Sequence, residues 1–160
     1  MNSNVAIERA REEDRVAILA LLEQANMHRV PSPEMPQITY ENYFVARDGG
    51  SIAGFCGYKI LSPTEAKTEL MVVDRSYRGQ GVGYSLQVRR MEDMLEKGVR
   101  TLTTNTDLPA TIAWYKKHFG YREVGKLKKL HEFSDASVDH WTTLETDLLE
   151  WAANRSRREE

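Results

Sequence analysis

Residues 66–105 pass without a linker from the apolar run AKTELMVVD into the glycine-rich turn RSYRGQGVGYS, then along an amphipathic segment into RTLTTN. The first run is apolar almost throughout, as a central strand covered on both faces is. From Gly81 onward, Tyr84, Val88, Met91 and Leu95 recur at the spacing of one helical face, and Gly98 suits the residue that ends a helix. Residues 100–105 are strand-like again. Strand, turn, helix and strand follow one another directly, and the rest of the chain must complete a sheet around them.

It does so in an orderly way. VAIER (5–9) alternates like a half-buried strand. REEDRVAILALLEQA places Ile18, Leu21, Leu22 and Ala25 at helical spacing behind Glu12, Glu13 and Asp14, which favour a helix N-terminus. NMHRVPSPEMPQ (26–37) carries three prolines and reads as an irregular loop, long enough to be a candidate substrate lid. YFVAR (43–47), DGG (48–50) and SIAGFCGYKI (51–60) read as a β-hairpin with an Asp-Gly turn. LPATIAWYKKHFG (108–120) reads as a helix with Pro109 in its first turn and Gly120 past its end. REVGKLKKLHEF (122–133) and DHWTTLETDLL (139–149) read as a closing antiparallel pair around SDASV, and EWAANRSRREE as a tail that frays.

Early strands joined by hairpins and later ones alternating with helices predict a mixed sheet flanked by helices, an α/β (α+β) fold. Neither a repeat nor a low-complexity linker interrupts it, so the expectation is one domain over 1–150 and a tail over 151–160.

Composition excludes several classes of function. A formal net charge of −2 argues against a general nucleic-acid binder, and Lys126, Lys128 and Lys129 read as a solvated strand face. The single cysteine, Cys56, lies in an apolar run with nothing beside it to make a thiolate, so it reads as packing. One cysteine and four histidines make no metal-ligand spacing. No apolar run approaches the ~20 residues of a membrane span. A reduced, cytoplasmic protein with no membrane partner is expected.

The glycines pose a chemical question. A P-loop would need a lysine and then Ser or Thr after its second glycine, whereas Gly83 is followed by Tyr84 and Ser85. A dinucleotide fingerprint would need a third glycine where Tyr84 stands, and an acid at the end of the next strand, which TLTTN lacks. What remains is a strand, a turn bearing Arg75 and Arg78, and glycines at 79, 81 and 83 opening a helix. Main-chain N–H groups without Cβ shielding, aided by the helix dipole and the arginines, can hold a pyrophosphate. Such a clamp has no machinery for cleaving phosphate. It suits a cofactor carried whole.

VVDRSYRGQGVGYSL resembles the cofactor-binding signature of the GNAT acyl-CoA N-acyltransferase superfamily, with Arg78, Gly81 and Gly83 at the signature positions. IERAREED is similar to the family's first strand and helix start, and WYKKHFGYREVG to its last helix and sixth strand. The resemblance implies a mixed sheet of about seven strands splayed between the fourth and fifth. It implies acetyl-CoA as co-substrate, its pyrophosphate over Arg78, Gly79, Gln80, Gly81, Val82, Gly83 and Tyr84. Its pantetheine arm would pair with the main chain of Leu70, Met71, Val72 and Val73.

Amine attack on a thioester needs a deprotonated nucleophile, a stabilised oxyanion and a proton for the leaving thiolate. The resemblance points to Tyr115 for that proton, although the family's spacing counted back from Gly120 reaches Lys116. The family's asparagine before this helix is replaced by Leu108, and Asn105 is the substitute for binding cofactor or water. Glu69, on the strand beside the splay, is the candidate base, with an exposed strand carboxylate as the alternative. His28, His131, Asp139 and His140 are candidates for contacting the acceptor, a small-molecule amine or a protein N-terminus or lysine. Homodimers are common in the family. A non-catalytic acyl-CoA-binding or regulatory module would use the same clamp, and phosphoryl transfer is disfavoured by the missing lysine.

Overall fold

The structure is a computed structural model that describes residues 5–27, 34–35 and 37–159. His28 and much of the proline-rich loop lie outside the described residues. Seven strands form one mixed sheet in the order β1-β2-β3-β4-β5-β7-β6. They are β1 (Val5–Arg9), β2 (Tyr43–Asp48), β3 (Ser51–Ser62), β4 (Glu65–Val73), β5 (Thr101–Thr106), β6 (Arg122–Lys128) and β7 (His140–Asp147). The helices are α1 (Arg15–Gln24), α2 (Val82–Glu96), α3 (Pro109–Phe119) and α4 (Leu148–Glu159). Among the described residues no helix is long and apolar enough to cross a membrane. The described residues form two compact units, one within 5–59 and 69–93, the other within 60–68 and 94–159.

In the first unit β2 pairs antiparallel with both β1 and β3. The two-residue turn between β2 and β3 puts Gly49 in the left-handed region at φ 58°, the conformation a tight hairpin asks of a glycine. One core cluster joins Ile18, Leu21 and Leu22 of α1 to Tyr43 and Val45 of β2, Phe55 of β3 and Val72 of β4. The apolar spacing of α1 is thus realised as its buried face. The acids ahead of it take a different part: Glu12–Asp14 form a separate 3-10 turn. Asp14 accepts the Arg11 N–H at 2.9 Å and a two-pronged bond from the Arg47 guanidinium at 3.0 and 3.1 Å.

The face that α2 buries differs from the expected stripe. Met91 is buried, but Tyr84 is 44% exposed, and Val82, Leu86, Gln87, Arg90, Asp93 and Met94 are the other buried positions. Helix α2 lies close on β3: a Cβ added to Gly54 would stand 3.3 Å from Leu86 Cδ1 and 2.8 Å from the Val72 carbonyl.

In the second unit β4 and β5 pair in parallel over only three residues, from Glu65↔Thr101 to Lys67↔Thr103. Strand β7 pairs antiparallel with β5 and β6, and β6 is exposed along its whole length. Gly120 ends α3 at φ 67°, as a left-handed C-cap should. Two boundaries are corrected here. Strand β6 ends at Lys128 rather than 133, and residues 129–139 form the loop to β7. Residues 148–159, read as strand end and fraying tail, are helix α4. Asp147 caps it by accepting the Glu150 N–H at 2.9 Å. The Asp147-x-x-Glu150 spacing is a capping-box signature that could have announced it.

Candidate active site

In the first unit the glycine-rich turn is built outward from Asp74. Its carboxylate accepts the Ser76 N–H at 2.9 Å and the Ser76 hydroxyl at 2.7 Å, which hold it below the usual carboxylate range. Its own N–H donates to the Ala53 carbonyl at 2.8 Å, tying the end of β4 to β3. A 3-10 turn over Arg75–Tyr77 follows, and the Tyr77 hydroxyl donates to Asp48. The Arg75 N–H donates to Gln24 Oε1 of α1 at 3.1 Å.

The chain then opens. Gly79 and Gly81 both take φ 79°, a conformation that crowds the Cβ of other residues. At Gly79 an added Cβ would meet nothing within 4 Å, so main-chain conformation and not packing requires the glycine. At Gly83 an added Cβ would make ordinary contact with Val73 Cγ2 at 3.5 Å and Met71 Sδ at 3.6 Å. Ser85 donates its N–H to Gly81 O at 3.1 Å. The N–H groups of Val82, Gly83 and Tyr84 occupy the first turn, where an α-helix supplies no internal acceptor. Arg78, Gly79, Gly81 and Tyr84 are exposed. Bare main chain at a helix mouth, with Arg75 and Arg78 exposed nearby, fits the phosphates of an acyl-CoA.

Strand β4 leads into this turn and breaks its own alternation. Its buried positions are Ala66, Glu69 and Val72, and Leu70 stands at φ 55°. A left-handed residue inside a strand marks a β-bulge. Val72 is turned into the core, whereas Leu70, Met71 and Val73 are half-buried. Glu69 is buried at 9% exposure, which overturns the alternative of an exposed strand carboxylate.

The second unit carries the remaining candidates. Tyr115 is buried, with its ring edge-on to Trp114 at 5.0 Å and to Tyr121 at 4.9 Å. Lys116, the competing position, is exposed and pairs with Glu123 at 3.6 Å. Leu108 is the N-cap residue of α3 and offers no side-chain bond. Asn105 is exposed and accepts a hydrogen bond from the Thr143 hydroxyl at 2.6 Å. His140 and Asp139 are brought together, Nδ1 to Oδ1 at 3.0 Å, and that bond lowers the Asp139 pKa. His131 is exposed and packs its ring 5.2 Å from Phe133. Among the described residues no group of three or more His, Cys, Asp or Glu could hold a metal ion.

Lys129, expected on a solvated strand face, has a side chain only 4% exposed and pairs with buried Asp107 at 2.9 Å. Its other two protons go to the carbonyls of Phe133 and Asp135 at 2.8 and 2.9 Å. Asp107 in turn accepts the Ser134 hydroxyl and the Asp135 N–H, both at 3.0 Å. The β6–β7 loop is therefore pinned to the residue that follows β5. Lysine next to lysine in KLKK gives no hint of which one turns inward.

The Acetyltransferase (GNAT) family model matches residues 15–121, and the chain belongs to that family. It is 31% identical over 102 residues to N-alpha-acetyltransferase RimI of Mycobacterium tuberculosis, covering 62% of this chain and 63% of RimI. The chain thus spans less than two thirds of the length of the curated relatives it matches. Among solved structures, the ribosomal-protein-S18-alanine N-acetyltransferase of Escherichia coli superposes with a TM-score of 0.72 at 18% identity, over 90% of this chain and 94% of that one. yncA of Salmonella typhimurium, solved with its cofactor acetyl-CoA, gives 0.70 at 13% identity over 91% and 95%.

Proposed function

We propose that the chain moves an acetyl group from acetyl-CoA to a primary amine by direct attack. The observation that carries this reading is the pair of left-handed glycines, Gly79 and Gly81, opening α2 directly after the bulged strand β4. Bound acetyl-CoA supplies an acetyl group already activated as a thioester. Arg78 and the main chain of residues 79–84 bind its pyrophosphate, and the main chain of Leu70–Val73 takes its pantetheine arm. Glu69 accepts the proton that the attacking amine loses as the C–N bond forms. Tyr115 gives its hydroxyl proton to the sulfur as the C–S bond breaks. Cys56 takes no part: burial pushes its thiol up to about 11, so no acyl-enzyme forms there.

The acceptor amine is proposed to be a protein N-terminus or a small amine. Support comes from the N-alpha-acetyltransferase relative and the S18-alanine enzyme that shares the fold. The exposed Asp139–His140 pair sits where β7 begins, at the end of the pinned loop. It is the candidate contact for a cationic acceptor.

The test is a panel of amines and peptide N-termini offered with acetyl-CoA while free thiol is measured. Arg78→Glu should abolish acetyl-CoA binding in calorimetry. Tyr115→Phe should lower kcat by at least tenfold with the acetyl-CoA Kd within threefold. Tight binding with no thiol release from any acceptor would mark a non-catalytic acyl-CoA module instead, and no binding at all would end the reading.

A further inference from the structure

The third turn of α2 carries a buried arginine that the transfer chemistry above leaves unused. Arg90 is 1% exposed, and its neighbour one turn back, Gln87, is fully buried. Arg90 Nε donates to Gln87 Oε1 at 2.7 Å. Its Nη1 donates to two main-chain carbonyls at 3.0 Å each, Gly57 on β3 and Leu70 on β4. Leu70 is the bulge residue, held at φ 55°. A branched side chain is disfavoured in that conformation, so something must hold the strand there.

The peptide after Leu70 is trans, since the described chain has no cis bond. Across a trans peptide the carbonyl and the following N–H point in opposite directions. A guanidinium that grips the Leu70 carbonyl therefore also sets the direction of the Met71 N–H. The guanidinium reaches all three acceptors in one fixed plane, Nε toward the amide oxygen and Nη1 toward the two carbonyls. Taking a guanidinium out of water is costly even where hydrogen bonds offset part of the cost. A buried arginine here is better explained by the geometry it enforces.

We propose that Arg90 is a positioning residue for acetyl transfer. From inside the unit it locks the bulge at Leu70, so that the Met71 N–H is held on the far side of β4 to bond the carbonyl oxygen that gains negative charge. The proposal rests on the acyltransferase reading above. It also makes α2 a single support for both ends of the cofactor, with the phosphate-binding N–H groups in its first turn and the brace two turns later.

The experiment compares wild type, Arg90→Lys, Arg90→Met, and Leu70→Gly in the Arg90→Lys background. Arg90→Lys keeps the charge and decides the matter if Arg90→Met fails to fold. We expect kcat to fall at least tenfold, with the acetyl-CoA Kd within threefold. In the ligand-free protein, hydrogen exchange across residues 69–73 should quicken while the β1–β2 ladder is unchanged. Leu70→Gly, which takes a positive φ without strain, should restore part of the lost kcat. A kcat loss that merely follows weaker binding or a lower melting temperature, or exchange that does not change, overturns the proposal. If wild type neither binds acetyl-CoA nor releases thiol, the transfer reading and this proposal fall together. If wild type turns over and Arg90→Lys matches it in kcat, only the proposal falls.

Discussion

Two glycines illustrate how different physical demands select the same residue. At Gly79 the space around a Cβ is open but φ is 79°, so an alanine would be strained without clashing. Gly79→Ala should cost about 1–2 kcal/mol, read by chemical denaturation, and should weaken acetyl-CoA binding by more than that loss explains. Gly54 is the reverse case: its Cβ would stand 2.8 Å from a main-chain oxygen that cannot swing away. Cys56 offers a third test. Its thiol donates to the Leu86 carbonyl at 3.6 Å and burial raises its pKa to about 11. The group stays protonated and shielded at neutral pH, so a disulfide reagent should find no reactive thiol in the native protein and one in denaturant.

The β6–β7 loop behaves as an element because of one buried pair. Lys129 and Asp107 are both almost fully buried and bind the loop through four further hydrogen bonds. Removing one partner of such a pair leaves the other charge unpaired in a low-dielectric site. Lys129→Met should therefore destabilise the fold by about 3–5 kcal/mol, and adding Asp107→Leu should recover part of it in a double-mutant cycle. If Lys129→Met costs less than about 1 kcal/mol, as an exposed pair would, the loop is not held this way. Helix α2 shows the matching limit of pattern reading. Gln87, Arg90 and Asp93 are buried while Tyr84 is not, so counting apolar side chains points to the wrong face. Polar groups go inside when tertiary partners satisfy them, and Arg90 and Gln87 have such partners in each other and in two strand carbonyls.

For the molecule as a whole, acid should be the weak side. Burial alone would raise the Asp14 pKa, but the bonds from Arg47 and the Arg11 N–H outweigh it and leave the pKa below its ordinary value. Asp74 is lowered as well, by its bonds to Ser76. A carboxylate with a depressed folded pKa adds stability above the unfolded value, near ~3.9, and loses it as pH falls through the folded one. The melting temperature should thus fall steeply below about pH 4. Asp14→Asn should lower stability at neutral pH and flatten that acid limb, a pair of effects readable in melts from pH 7 to pH 3. A limb unchanged by the substitution would mean that Arg47 and Asp14 do not pair in solution.

Local chemistry carried much of this protein in the order of its residues. Asp48-Gly49-Gly50 specified a hairpin, Pro109 and Gly120 bounded a helix, and the glycines after VVD specified a left-handed turn that opens a helix. Each of these depends on main-chain preferences of residues adjacent in the chain. Tertiary contact decided the rest. The left-handed turn of Leu70, the burial of Glu69, the inward swing of Lys129 rather than Lys128, and the face that α2 hides all depend on partners tens of residues away. Charge and shape at those distances leave no period in the sequence, because the energy that selects them exists only once the strands and helices have met.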